Sequence, residues 1–248
     1  MLFSALMVSF TKAPMGMADD SEVDSLVYKV VVNNAPPYRI IEQWGGNAGY
    51  IGAYIDTINE ISIRTGLSLE FKNVPFARAL SLMKTGKADM MLGPNWSVER
   101  ADYMIYLNAA FPAEAKVFFL SPKVDDISRY SDLNGLSIGV LRSARYFDPF
   151  DNDASLRKDI INDYENGFKM LALNRIDAII IPERQGKFLM RSLGYEFRKS
   201  SFRVPGQPSF VTISRDSKLL QHKDKIEKAM SDLNAEGYFE RLMKVYLH

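Results

Sequence analysis

Residues 50–93 read YIGAYIDTINEISIRTGLSLEFKNVPFARALSLMKTGKADMMLG. Over 50–66, Ile51, Ile55, Ile58 and Ile61 recur at helical spacing, and the run stops at Gly66, a residue suited to closing a helix. Leu67, Leu69 and Phe71 then alternate through 67–74 as a half-buried strand does. Leu80 and Met83 share one face of a second helix over 76–86, and ADMMLG (88–93) reads as a short buried strand. Upstream, YKVVVNN (28–34) is a β-branched strand, ended by the extended turn that the prolines of APPY impose. A β-α-β-α-β order predicts an α/β fold, with a largely parallel sheet and helices packed on it.

The pattern recurs downstream. LSIGVL (136–141) reads as a strand, 166–174 as a helix, IDAIII (176–181) as a strand and ERQGKFLMRSLG (183–194) as another helix. MKTGKADMML (83–92) and LALNRIDAII (171–180) echo one another: a basic residue follows Gly or Asn, and an aspartate precedes an apolar strand. Two α/β lobes are therefore expected. NAAFPAEAKVFFL (108–120) and RVPGQPSFVTIS (203–214) each set prolines beside an apolar strand and read as crossings between them. On that division residues 27–112 and 208–248 form a discontinuous first lobe, which takes back the amphipathic helices 218–234 and 238–247, and residues 113–207 form the second. A double crossing makes a hinge, and small ligands favour the cleft beside one.

Composition narrows the function. The chain has 248 residues, 47% of them hydrophobic, enough for a sizeable core. Thirty-one Lys+Arg against 30 Asp+Glu leave a net charge of +1 with no basic cluster to track a phosphate backbone, so nucleic acid is not an expected partner. Without cysteine there is no disulfide or thiolate chemistry, and with two histidines, His222 and His248, no metal site or cofactor is expected. LFSALMVSF (2–10) is too short to span a bilayer, and GMA (16–18) offers small residues for signal-peptidase cleavage, so residues 1–18 are read as an export signal although no basic segment precedes the apolar run.

MLGPNWSVER (91–100) carries the residue of greatest chemical interest. Ser97 can cap a helix starting at Val98, which puts Arg100 in the first turn, against the positive end of the helix dipole. An anion there would meet a guanidinium fork, a hydroxyl and free backbone N–H groups together. Alternatively Arg100 points into solvent or pairs with an acid such as Asp102; physics alone leaves both readings open. Tyr38 and Phe76, taken by themselves, read as core packing ahead of a ligand site.

The helix start Gly52 to Asp56, Phe76 opening the second helix, GKAD (86–89) entering a strand and the turn SVER (97–100) together resemble the first lobe of the periplasmic solute-binding proteins of the polar amino-acid uptake type, bacterial extracellular solute-binding family 3. The likeness continues to AEGYFERLMKVYL (235–247), similar to that family's closing helix. It implies a two-lobed, periplasmic-binding-protein-like fold with a double hinge crossing. It also implies that Arg100 grips a ligand carboxylate, helped by Ser97 and Asn95 with Trp96 beside them, while Tyr38 and Phe76 flank the ligand. The implied protein is a periplasmic monomer, not an enzyme, that captures a small polar, carboxylate-bearing solute and delivers it to an ABC importer permease.

Two departures bear on the ligand. LRSAR (141–145) stands where the family usually carries Gly-Thr or Ser-Thr, and its Arg142, Ser143 and Arg145 point toward a more acidic solute. After IDAIII, where amino-acid binders place an aspartate for the ammonium, this chain has Pro182 and then Glu183. Either Glu183 takes over that role or the ligand has no α-ammonium. Rival functions are an enzyme on the same fold, such as a periplasmic dehydratase, and a stand-alone sensing domain. GLSIG (135–139) matches a nucleophile-elbow pattern with His222 downstream, but Ser137 falls inside an apolar strand, where an elbow cannot form.

Overall fold

The computed structural model describes residues 26–44 and 47–247; the expected export signal, 1–18, lies outside them. The chain first runs β1 (Val27–Val32), β2 (Ile40–Trp44), β3 (Asn47–Ile51), α1 (Ala53–Thr65), β4 (Ser68–Asn73), α2 (Phe76–Lys84), β5 (Met90–Leu92), α3 (Val98–Ala101) and β6 (Met104–Phe111). It continues through β7 (Lys116–Leu120), β8 (Ser137–Leu141), β9 (Arg157–Ile161), α4 (Tyr164–Ala172), β10 (Ala178–Pro182), α5 (Glu183–Ser192) and β11 (Arg198–Val204). It returns as β12 (Ser209–Ser214), α6 (Lys223–Ala235) and α7 (Tyr238–Leu247).

Two five-stranded sheets result, one in the order β4-β1-β5-β12-β6 and the other β11-β7-β10-β8-β9. Each is parallel where helices connect the strands, β4/β1/β5 in the first and β10/β8/β9 in the second. The strands that enter or leave a crossing, β12 and β7, pair antiparallel to their neighbours. The architecture is the two-lobed α/β fold. The lobes are joined by residues 112–115 and 205–208, and these crossings touch backbone to backbone: a Cβ at Gly206 would collide with the main chain of Glu114. Any residue but glycine there would push the strands of the hinge apart.

In the first lobe the apolar face of α1 (Ile55, Ile58, Ile61) packs with Ile226, Met230 and Leu233 of α6 and Phe239 and Met243 of α7. The opposite face of that sheet is sealed by α2, through Phe76, Ala79 and Met83, against Val31 and Met91. The second lobe likewise has a core on each face, around Phe118 and Phe150 on one and Phe119 and Phe168 on the other. The helix expected over 50–66 starts only at Ala53, because Ile51 pairs with Ile40 in the β2–β3 hairpin.

The echoed stretches are built alike. Gly86 and Asn174 both take left-handed backbone, with φ 64° and 51°. The next amide in each, Lys87 and Arg175, donates back to Leu82 and Met170, both at 2.9 Å. Asp89 and Asp177 then clamp the strand alongside: Asp89 accepts the Lys29 amide at 2.7 Å and Asp177 the Ser137 amide at 2.8 Å, while their own amides donate to the carbonyls of those same residues. One helix–turn–strand unit thus serves both lobes. Asp177→Ala strands the amide of buried Ser137 and should lower stability by about 1–3 kcal/mol in urea titrations, whereas Asp89→Ala frees an exposed amide and should cost about 0.5–1.5 kcal/mol. Asparagine, which keeps an acceptor oxygen, should recover part of that loss.

Candidate functional site

A cavity of about 100 Å³ lies where the lobes face one another. Tyr38, Arg39, Tyr54, Phe76 and Arg100 line it from the first lobe. Lys116, Arg145, Tyr146, Tyr164 and Gln185 line it from the second, and Glu114 enters from the crossing between them.

Arg100 sits where the β5–α3 loop turns into a helix. Ser97 is extended, at φ −151°, and its Oγ accepts the Arg100 amide at 3.3 Å. The side chain, only 4% exposed, donates from Nη1 to the Asn95 carbonyl and from Nη2 to the Ser143 carbonyl of the second lobe, each at 2.9 Å. Its guanidinium lies over the Phe76 ring, 5.6 Å from the centroid. Neither alternative reading of Arg100 holds: it is buried, and Asp102 does not pair with it, nor does any other carboxylate among the described residues. Burial lowers its pKa, yet an arginine stays charged. Two of its five N–H donors are engaged, which leaves capacity for a bidentate anion.

A second buried arginine escaped the sequence reading. Arg39, 7% exposed, donates from Nε to the Asn33 carbonyl at 3.2 Å and from Nη2 to Asn33 Oδ1 at 3.3 Å, and lies over the Tyr54 ring at 5.4 Å. Its Nη1 occupies the place of a side chain at Gly93, whose backbone is left-handed at φ 87°. Burial lowers its pKa too, and no carboxylate among the described residues pairs with it. A charged residue just past a proline turn reads as solvated, so only the fold marks it.

The other lining groups divide by charge. Lys116 is buried and donates to the Tyr146 carbonyl at 3.0 Å, burial pushing its pKa down. Arg145 is half-exposed and meets Glu99 at 3.6 Å. Glu114, the one carboxylate on the lining, accepts the Tyr38 hydroxyl and the Arg184 amide at the N-terminus of α5; burial raises its pKa. Gln185, 4% exposed, has an Nε2 with no partner among the described residues. Lys116, Glu114 and Gln185 carried no sequence signal, since each sits at the edge of a strand or helix that reads as ordinary.

Of the residues singled out in the sequence, Arg100, Asn95, Tyr38, Phe76 and Arg145 reach the cavity wall. Tyr38 stacks on Tyr54 with centroids 4.8 Å apart. The remaining five do not line it. Trp96 is 53% exposed and off the cavity, because the loop turns its ring outward between Asn95 and the Ser97 cap. Ser97 spends its hydroxyl on the Arg100 amide. Ser143 offers Arg100 its carbonyl, not its side chain. Arg142 is exposed and donates to Asn162 at 3.2 Å. Glu183 does not face the cavity; Pro182 does, and Glu183 turns away to bind Lys187, Lys199 and Arg203, each at 2.8 Å. It cannot receive an ammonium there. Ser137 Oγ is committed to Asp177 at 2.9 Å, and His222 packs on Tyr28 in the other lobe, so these two form no nucleophile–base pair.

Residues 28–248 match the family model for bacterial extracellular solute-binding proteins, family 3. The histidine-binding periplasmic protein of Salmonella typhimurium is 22% identical over 98% of this chain and 94% of its own. Among solved structures, an amino-acid ABC-transporter substrate-binding protein of Streptococcus pneumoniae bound to L-arginine superposes with a TM-score of 0.77 at 18% identity, over 89% of this chain and 94% of that one. An ancestral arginine-binding protein bound to arginine gives 0.77 at 18%, over 90% and 98%.

Burial alone would raise the Glu183 pKa, but hydrogen bonds from Lys187 and Lys199 bring it to about 2. That value lies below the unfolded glutamate's, so the stabilisation is full above about pH 4.3 and disappears as pH falls toward 2. Glu183→Gln should cost about 1–2 kcal/mol at pH 7, the half-exposed lysine and arginine partners being screened, and much less at pH 2, where the carboxylate is half protonated. Melting curves at the two pH values check this.

Proposed function

This chain belongs to the bacterial extracellular solute-binding proteins of family 3, and from that membership we propose that it captures a small carboxylate-bearing solute between its lobes and delivers it to an ABC importer permease. The observation that carries the reading is Arg100: a buried guanidinium on the wall of an interlobe cavity, with spare donors and no carboxylate of its own. A ligand carboxylate completes that site. Phe76 beneath the guanidinium and Tyr38 on the same lobe's wall exclude water and strengthen the ionic contact. Asn95 holds the arginine through its carbonyl, and Arg145 adds charge at the rim.

The ligand acts on a hinge equilibrium. The lobes, residues 27–112 with 208–248 and residues 113–207, turn about the paired crossings, and only the shut form lets one solute touch both. Differential affinity for that form drives closure, and the membrane partner reads the shut surface. The protein works in the periplasm as a monomer and returns its solute chemically unchanged. Relatives named as binding histidine or arginine support a small carboxylate of that size as the ligand.

Arg100→Ala should weaken binding of the cognate carboxylate by at least about 100-fold in calorimetry, the loss of a charge-assisted bidentate contact. Small-angle scattering should show contraction with ligand for wild type only. Tight binding indifferent to the substitution, or consumption of the solute on incubation, would overturn the proposal.

A further inference from the structure

The charges on the cavity wall specify the solute further. Arg39, Arg100, Lys116 and Arg145 line it against Glu114 alone. Glu114 is already engaged by the Tyr38 hydroxyl and by the amide at the start of α5, so it has little left for a ligand cation. Pro182 lines the wall, and the neighbouring Glu183 is turned to three cations elsewhere. An ammonium entering this cavity meets four like charges and no free carboxylate.

The donors have an arrangement of their own. Arg39 and Arg100 are each more than nine-tenths buried, each laid over an aromatic ring, and each holds unused N–H groups. They flank one short loop: Arg39 Nη1 lies against Gly93, and Arg100 Nη1 bonds the Asn95 carbonyl. Gly93 and Asn95 are two residues apart, a span of at most about 7 Å. From the facing lobe the unpartnered Nε2 of buried Gln185 supplies another donor to the same cavity.

Resting on the reading of this cavity as a solute site, we propose that the ligand is a small dicarboxylic acid without an ammonium group, with one carboxylate on Arg100 and the other on Arg39, Gln185 adding an amide donor. The specificity lies in the pairing of two buried forks. A monocarboxylic amino acid leaves Arg39 buried and unmatched, and its ammonium has no acceptor.

The test is calorimetry on the full chain with succinate, glutarate, L-glutamate, L-glutamine and L-arginine. A diacid should bind at least tenfold more tightly than L-glutamate, and L-glutamine and L-arginine more weakly still. Arg39→Gln should reduce diacid affinity by thirtyfold or more, with Arg39→Lys intermediate, and thermal melts establish that both variants are folded. The wild-type ranking decides the matter even if neither variant folds. L-glutamate, L-glutamine or L-arginine binding as tightly as the best diacid overturns this proposal; if that binding still needs Arg100, the broader reading of a carboxylate receptor survives. Failure of every compound to bind defeats both.

Discussion

Burying a guanidinium away from water and from any carboxylate is unfavourable unless its donors find oxygen and its face finds an aromatic ring, and this chain meets those conditions twice around one loop. Main-chain carbonyls and an asparagine side chain take the donors of Arg39 and Arg100, and Tyr54 and Phe76 take their faces. Much of the local structure answers to that requirement. Gly93 lacks a side chain so that Arg39 can lie across it, and the Ser97 cap fixes the short helix that aims Arg100. Carbonyls satisfy hydrogen-bond geometry but not net charge. The cavity therefore carries an electrostatic deficit that an acid is suited to fill.

The lobes that enclose this deficit share a design. In each, a left-handed turn leads to an aspartate that clamps a residue of the neighbouring parallel strand, Lys29 of β1 or Ser137 of β8. The clamps lie at the far ends of the strands from the cleft, so the faces near the ligand are free to differ. On one side they present Arg39, Arg100 and their rings; on the other, Lys116, Tyr146, Tyr164 and Gln185. Between them Gly206 lies against the main chain of Glu114, the same residue whose side chain accepts the Tyr38 hydroxyl.

Much of this could be read from the chain itself, and the failures have physical reasons. Periodicity found α1, α2 and α4 and the strands at 88–93, 136–141 and 176–181, because each buries an apolar face. It overlooked β9, whose RKDII buries little beyond Ile161, and the hairpin of β2 and β3, whose Ile51 also fits the spacing of the helix that follows. Arg100 was legible because a cation at a helix start contradicts the local electrostatics. Arg39 contradicts nothing locally; its burial comes from Gly93 and Tyr54, distant in sequence. Glu183 misled for the opposite reason, since its three cationic partners come partly from β11, a strand the periodicity did not reveal.

The place of β12 has a consequence for how the molecule assembles. It lies between β5 and β6, and β6 has no other strand to pair with. As the polypeptide is made, β6 must wait, its edge unsatisfied, while more than ninety residues of the second lobe are added. The first half of the chain to appear is thus the last to be completed. That long-range closure slows folding, and an unfinished sheet of this kind keeps a nascent chain pliable until its final segment arrives.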